Sequence, residues 1–395
     1  MEDRNGWQRA MMAAKICDVT VLYCPTTSHE HLNRFVPPEM PFDALRMIAV
    51  EHDWLSKRLI SIDATFYSGY RHWQRLAFSE AKRLHKLEPF DLAHFVTLCG
   101  FREPGYLWKL GIPHVWGPLG GTHYFPKKFL SMLNFSNRVR EISRSVINYY
   151  QLYWCPRTHL AARRSALVIA ATVGAKKSLE SGFQVPVAID LETGIDYPIS
   201  PKRPPRDTNR PLRLLWAGRL RAWKGLPLLL HAIARLPKAN QVQLRVLGVG
   251  VCDEEWKQLA RKLKIDNYIE WIRWPTYRET LAHYEWADAF VFTSLRDTSG
   301  TGLLEALAAG CPIIGLNHQG AADIMSPECA IPVAVTNIQD TIQHVCHAIK
   351  RLVEDSDYWL RLSHGASERA VYYEWRHRGE WLEGIYNSVI GASHR

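Results

Sequence analysis

Two carboxylates and two cations stand at spacings that could bind a charged leaving group. Asp297 and Glu305 lie eight positions apart, and the string between them includes Ser299, Gly300, Thr301 and Gly302. Arg219 and Lys224 lie five positions apart, earlier in the same half of the chain. A guanidinium offers phosphate oxygens a planar fork and an ammonium offers a compact charge, so the pair could neutralise a diphosphate. An ionised carboxylate is a pure acceptor with two oxygens, which suits a vicinal diol such as a ribose. A helix that opens on glycines leaves its first amides approachable by a phosphate. Phosphate, diol and a second carboxylate further out together describe a nucleotide-sugar site.

The elements that must position these groups are legible around them. Residues 289–292 form a short apolar run that reads as a buried strand, and 295–299 as a loop. A helix rich in Ala and Leu then runs to Gly310, with Pro312 just beyond as its stop, and 311–316 reads as the next strand. In a parallel sheet this places the helix N-terminus at the ligand-binding edge. The same holds for 212–217, a strand ending in Gly218, whose loop carries Arg219 and Lys224 before the next helix. Taken alone, Asp297 could instead cap the helix of an ordinary crossover, and the two cations could be surface charges. Further apolar runs at 19–23, 47–50, 92–96, 112–116, 167–170 and 185–189 alternate with helical stretches, clearest at 70–87. Such alternation predicts parallel α/β sheets. The stretch 201–211 is polar and Pro-rich and reads as a linker. Expected, then, are a domain over 1–200, a second over 212–372, and a closing aromatic-rich helix over 373–395.

These residues resemble the retaining GT-B glycosyltransferases of the large family 4 (glycosyl transferases group 1), with Asp297 where most members carry a first glutamate. The resemblance implies two Rossmann-like domains facing across a cleft and a last helix crossing back to the first domain. It implies that Arg219 and Lys224 clamp the pyrophosphate, that Glu305 holds the ribose and that Asp297 orients the hexose. Ser299, Gly300, Thr301, Gly302 and Gly218 would line the donor. Glu192, in the string Glu192-Thr193-Gly194-Ile195-Asp196, falls where the family has an asparagine near the nucleotide. His94 resembles a first-domain histidine near the donor sugar, although a second one found two residues later is Val96 here. The alternative for His94 is a hydrogen-bonded core histidine. Gly120 and Gly121, in a glycine loop that resembles one facing the cleft, are sugar or acceptor candidates together with His123; tight-turn glycines are the other reading. The implied chemistry is hexosyl transfer with retention, from a UDP- or GDP-linked donor to a saccharide or lipid-linked acceptor. No metal and no cofactor beyond the donor are implied. A sugar-nucleotide epimerase of the same fold and a non-catalytic relic are the rivals. Family members place a strand and glycine loop before the helix that here starts near Gly6, so a longer natural chain is expected.

Composition bounds the rest. The chain has 395 residues, 47% hydrophobic and 22% charged, which is globular rather than disordered. No run reaches the ~18 apolar residues of a spanning helix. The start lacks a basic-then-apolar leader, so a cytoplasmic location is expected. Eight scattered cysteines without a CxxC pair read as reduced thiols. The formal charge of +10 concentrates over 125–164, where Lys127, Lys128, Arg138, Arg140, Arg144, Arg157, Arg163 and Arg164 interleave with apolar residues. That composition fits a helix on an anionic membrane, or equally a solvated surface; no nucleic-acid motif accompanies it. The Asp355-Ser356-Asp357 triplet follows a helical run, so it reads as a stop and a new N-cap rather than a metal pair.

Overall fold

Every short apolar run read above as a strand is one in the computed structural model, which describes residues 2–25, 44–62, 65–96, 98–195, 199–273 and 275–393. The chain forms two units. Unit 1 comprises Met1–Thr122, Ile147–Thr193 and Trp375–Arg395, and unit 2 comprises His123–Val146 and Gly194–Glu374.

Unit 1 carries strands β1 (Val19–Tyr23), β2 (Leu45–Ala49), β3 (Ala93–Phe95), β4 (His114–Leu119), β5 (Leu167–Ala170) and β6 (Val187–Ile189). All pairings are parallel, but among the described residues they fall into two sheets, β1-β2 and β3-β4-β5-β6. The helix Phe66–Leu87 reaches both: Trp73 Nε1 donates to the Val50 carbonyl at 2.8 Å beyond β2, and Gln74 and Phe95 both approach Gly105. On the other side the helix Glu2–Ala14 packs against Trp375–Ser393. A buried carboxylate fastens them, because Asp190 pairs with Arg9 and, at 2.5 Å, with Arg378. Two guanidiniums on one carboxylate satisfy a charge that would otherwise be expensive to bury.

Unit 2 is one six-stranded parallel sheet built from β7 (Leu212–Ala217), β8 (Val242–Leu247), β9 (Ile269–Ile272), β10 (Ala289–Phe292), β11 (Ile313–Leu316) and β12 (Ala330–Val333). Their order is β12-β11-β10-β7-β8-β9. The order reverses between β7 and β10, so the loops that follow these two strands leave neighbouring strands at the C-terminal edge of the sheet. Alternation along β10 sets both faces of the core. Ala289 and Val291 join the cluster of Leu214, Trp216, Leu244 and Val246, while Phe290 and Phe292 turn toward the helix Thr301–Ala308.

Two boundaries differ from the sequence reading. The stretch 201–211 is bound into unit 2: Arg203 donates to the carbonyls of Ala309, Ala287 and Tyr284 at 2.8, 2.5 and 2.8 Å, and Arg210 forks Asp288. Arginines in a polar stretch gave no sign of the buried carbonyls they serve. Residues 123–146 pack with unit 2 rather than with a first domain over 1–200, because Phe125, Phe129 and Leu133 are buried in the unit 2 core. Those three side chains are therefore not part of a membrane face. The helical reading of Asp355-Ser356-Asp357 matches what is seen, with Asp355 ending one helix and accepting from Tyr358 N as N-cap of the next. All eight cysteines are free thiols.

Candidate active site

At the β7/β10 reversal the two loops are fastened to each other before any charged group is considered. Thr293, just past β10, donates to the Lys224 carbonyl at 2.9 Å and accepts from Trp216 Nε1 at 3.0 Å. Leu295 N donates to the Trp223 carbonyl at 2.8 Å. Gly225 comes next with φ +66°, and a Cβ there would sit 2.3 Å from the Thr293 carbonyl oxygen. No side chain fits so close a backbone crossing, which is why the loop ends in glycine. The loop is braced from β8 as well, since Gly250 lets the Leu220 carbonyl approach to 2.2 Å of a Cβ position. The string 248–250 is thus a support for the Arg219 loop.

This stitching brings Lys224 and Asp297 together. Their side chains form an ion pair, each about a quarter exposed. Asp297 does not cap the following helix. Its other oxygen accepts from Thr298 N at 3.1 Å, and its own amide donates to Gln319 Oε1 at 2.9 Å. The N-cap is Gly300, with φ +62° and no side-chain cap, ahead of the helix Thr301–Ala308. The positive end of that helix therefore opens beside the Lys224–Asp297 pair, where it favours an anion. Gly302 has a second reason to be glycine: a Cβ would meet Tyr284 Oη at 2.8 Å and the Phe290 ring at 3.1 Å. Glu305 is buried one turn into the same helix, Gly218 closes β7, and Arg219 is exposed on the loop between. All these residues belong to unit 2.

Three residues that attracted little attention in the sequence complete the surroundings. His318, after β11, is hydrogen-bonded to the Ser294 carbonyl at 2.9 Å, so its Nε2 is the donor. Gln319, at φ +54°, spans from Asp297 N to the Tyr124 carbonyl, which its Nε2 reaches at 2.9 Å. Arg296 forks Glu141 at 3.0 and 2.9 Å and lies 4.9 Å from the Trp223 ring centre. A polar pair immediately after a predicted strand end, His318-Gln319, was the signal available for the first two. Glu141 had none, standing 155 positions from its partner. His123 also belongs to unit 2, and burial, followed by the His318 and Arg144 charges, pushes its pKa down to about 4, with Asp297 opposing. Burial likewise lowers His318. Both rings are neutral near pH 7.

The unit 1 candidates are engaged locally. His94 uses both ring nitrogens, Nδ1 with Tyr386 Oη at 2.7 Å and Nε2 with the Gly117 carbonyl at 2.8 Å. Since the carbonyl only accepts, Nε2 carries the hydrogen and Nδ1 accepts from the tyrosine. Both ring nitrogens of half-buried His94 are thus engaged within unit 1. Gly120 pairs with the 99–101 turn through Cys99 and Phe101, and Gly121, at φ +80°, accepts from Asn148 at 2.9 Å. Glu192 is half-buried at the end of unit 1, and Asp196 lies outside the described residues. Among the described residues no three His, Cys, Asp or Glu side chains cluster as metal ligands.

Comparison with known proteins meets this geometry at the same place. Residues 200–369 match the family model of glycosyl transferases group 1. D-inositol 3-phosphate glycosyltransferase of Corynebacterium efficiens is 26% identical over 191 residues, which are 45% of this chain and 43% of that protein. The match therefore spans less than half the length of this relative. Among solved structures, HepE of Anabaena in complex with UDP aligns over 97% of this chain and 96% of its own, at TM-score 0.63 and 14% identity. Sucrose-phosphate synthase from Thermosynechococcus elongatus covers 98% and 92% at TM-score 0.67 and 16% identity. WaaG, a glycosyltransferase involved in lipopolysaccharide biosynthesis, covers 97% and 95% at TM-score 0.60 and 15% identity. The fold is that of the GT-B glycosyltransferases. More particularly, the stretch of unit 2 that matches the group 1 model contains the Lys224–Asp297 pair and the helix opened by Gly300.

The buried histidines set a pH dependence on stability. Burial pushes His94 and His114 each down to about 3 in the folded chain, below the unfolded value of about 6.5. The unfolded chain therefore takes up these protons first as pH falls, and stability is full above about 6.5 and declines towards 3. Urea unfolding midpoints should drop steadily over that range, and His94→Gln should show a shallower decline than the parent. An equal decline in the variant would contradict the burial of a neutral ring.

Proposed function

We propose that this chain is a glycosyltransferase that moves a hexose from a UDP- or GDP-linked donor to a saccharide or lipid-linked acceptor. The observation that carries the reading is the junction at the β7/β10 reversal, where Lys224, Asp297 and the helix N-terminus opened by Gly300 meet. In this reading Lys224 and Arg219 take the diphosphate, and Lys224 exchanges part of its pairing with Asp297 for phosphate oxygens. The amides from Ser299 to Gly302 add donors aimed at charge that grows as the sugar–phosphate bond breaks. Glu305 holds the ribose hydroxyls and Asp297 those of the hexose. Transfer proceeds with retention through displacement on one face, without a metal ion or further cofactor, in the assembly of polysaccharide or envelope glycan on the cytoplasmic side of the membrane. Structures of HepE with UDP and with UDP-glucose, which share the fold, support a nucleotide-sugar donor.

A refined membrane surface belongs to the same proposal. No helix among the described residues is long and apolar enough to cross a membrane. Within unit 2, however, the helix Phe135–Tyr153 begins with Phe135, Val139, Ile142 and Val146 exposed at 80%, 46%, 48% and 64%. That i, i+4, i+7, i+11 row forms one apolar stripe, flanked by exposed Lys127, Lys128, Arg138 and Arg140. Apolar stripe plus cations is the makeup of a helix lying on an anionic bilayer.

Two measurements test these readings. Lys224→Ala or Glu305→Ala should lower donor turnover by roughly a hundredfold or more while leaving the fold intact by circular dichroism. Near-parental rates would remove the assignment, and nucleotide release that ignores added acceptor would favour an epimerase. Flotation with anionic liposomes should carry the chain upward in low salt, and Phe135→Asp with Val139→Asp should prevent it. Flotation unchanged by that double substitution would sink the membrane reading.

A further inference from the structure

The segment 123–146 is an insertion from the first half of the sequence that packs with unit 2. Its apolar anchors, Phe125, Phe129 and Leu133, sit in the unit 2 core, and its polar attachments go to Arg296 and Gln319, which flank Asp297 in space. Glu141, 5% exposed at its side chain, forks Arg296 through two hydrogen bonds of 3.0 and 2.9 Å. The Tyr124 carbonyl accepts from Gln319 Nε2, and Gln319 Oε1 accepts from Asp297 N, at 2.9 Å each. Both attachments therefore act on the backbone of Asp297, one from the preceding side chain and one on its own amide. Arg296 also lies over Trp223, the neighbour of Lys224, so the fork bears on both members of the central ion pair.

Neither contact is explained by core packing. A bidentate carboxylate–guanidinium pair fixes distance and orientation together, which a hydrophobic contact does not. Gln319 holds φ +54°, a backbone state uncommon for a residue with a Cβ, and its amide group spends an acceptor and a donor on two different segments. We infer that Glu141 and Gln319 are positioning residues of the active site: they brace the 295–298 loop so that Asp297 and Lys224 are presented in one arrangement. The inference deepens the glycosyltransferase reading and rests on it for its kinetic arm. An ordered carboxylate at Asp297 matters for orienting a hexose more than for holding a nucleotide. Loosening the brace should consequently reduce turnover more than nucleotide affinity.

The test uses the full chain with Glu141→Gln, Glu141→Asp and Gln319→Ala, with two readouts. Amide hydrogen exchange at 295–299 should quicken at least tenfold in Glu141→Gln and Gln319→Ala, with the β7 and β8 amides unchanged. Donor turnover, measured as nucleoside diphosphate release, should fall at least tenfold in kcat, while the UDP or GDP dissociation constant moves less than threefold. Glu141→Asp, which keeps the charge, should recover part of both losses. Exchange at 295–299 indistinguishable from the parent would overturn the inference, as would quickened exchange throughout unit 2, which marks a merely structural role. If the parent chain turns over no nucleotide sugar, the functional reading fails on its own and the exchange data still decide the brace.

Discussion

The ion pair between Lys224 and Asp297 is the contact on which the account turns, because it can form only if two separate crossovers end side by side. Lys224 belongs to the loop after β7 and Asp297 to the loop after β10, and the sheet order makes those strands neighbours with outgoing loops at the same edge. The close crossing at Gly225, the Thr293 hydroxyl bonded on both sides and the Leu295 amide then leave the two loops little freedom to separate. A cation and a carboxylate held this way beside a helix N-terminus form a compact polar surface of mixed sign. Such a surface suits a ligand that is itself mixed, with anionic phosphates next to neutral hydroxyls.

Much of this was readable in the sequence because the signals were local. A short apolar run, a loop with a carboxylate, two glycines and an Ala/Leu helix describe β10, its outgoing loop and the next helix without knowledge of any partner. The reasons behind individual residues were less accessible. Gly302 reads as room for a phosphate, yet Tyr284 and Phe290 already forbid a side chain there. His94 reads as a possible sugar contact, but the partner that occupies its Nδ1 is Tyr386, 292 positions away. Glu141 stands among the cations of 125–164, yet its partner is Arg296, 155 positions away. Where the meaning of a residue depends on a partner far along the chain, no periodicity or cap announces it.

The charge balance shows the same thing from another side. A formal +10 suggests a broadly cationic surface, but many guanidiniums are committed inside their units. Arg203 serves three carbonyls, Arg9 and Arg378 share Asp190, and Arg71 and Arg157 share Glu103. Their positive charge helps hold the fold together and is not available in full to a partner. Lys127, Lys128, Arg138 and Arg140 near one apolar helix row, and Arg219 at the site, are among the cations that stay exposed. A count of cations therefore overstates the charge left free for a partner.

The central proposal is that the loop junction at the β7/β10 reversal grips a diphosphate rather than a nucleoside. Calorimetric titration with the pairs UDP and UMP, and GDP and GMP, isolates that one phosphate. For the cognate base the diphosphate should bind at least tenfold tighter than the monophosphate, with the difference shrinking as salt is raised. Equal affinities within the pair, or binding of neither, would contradict the account.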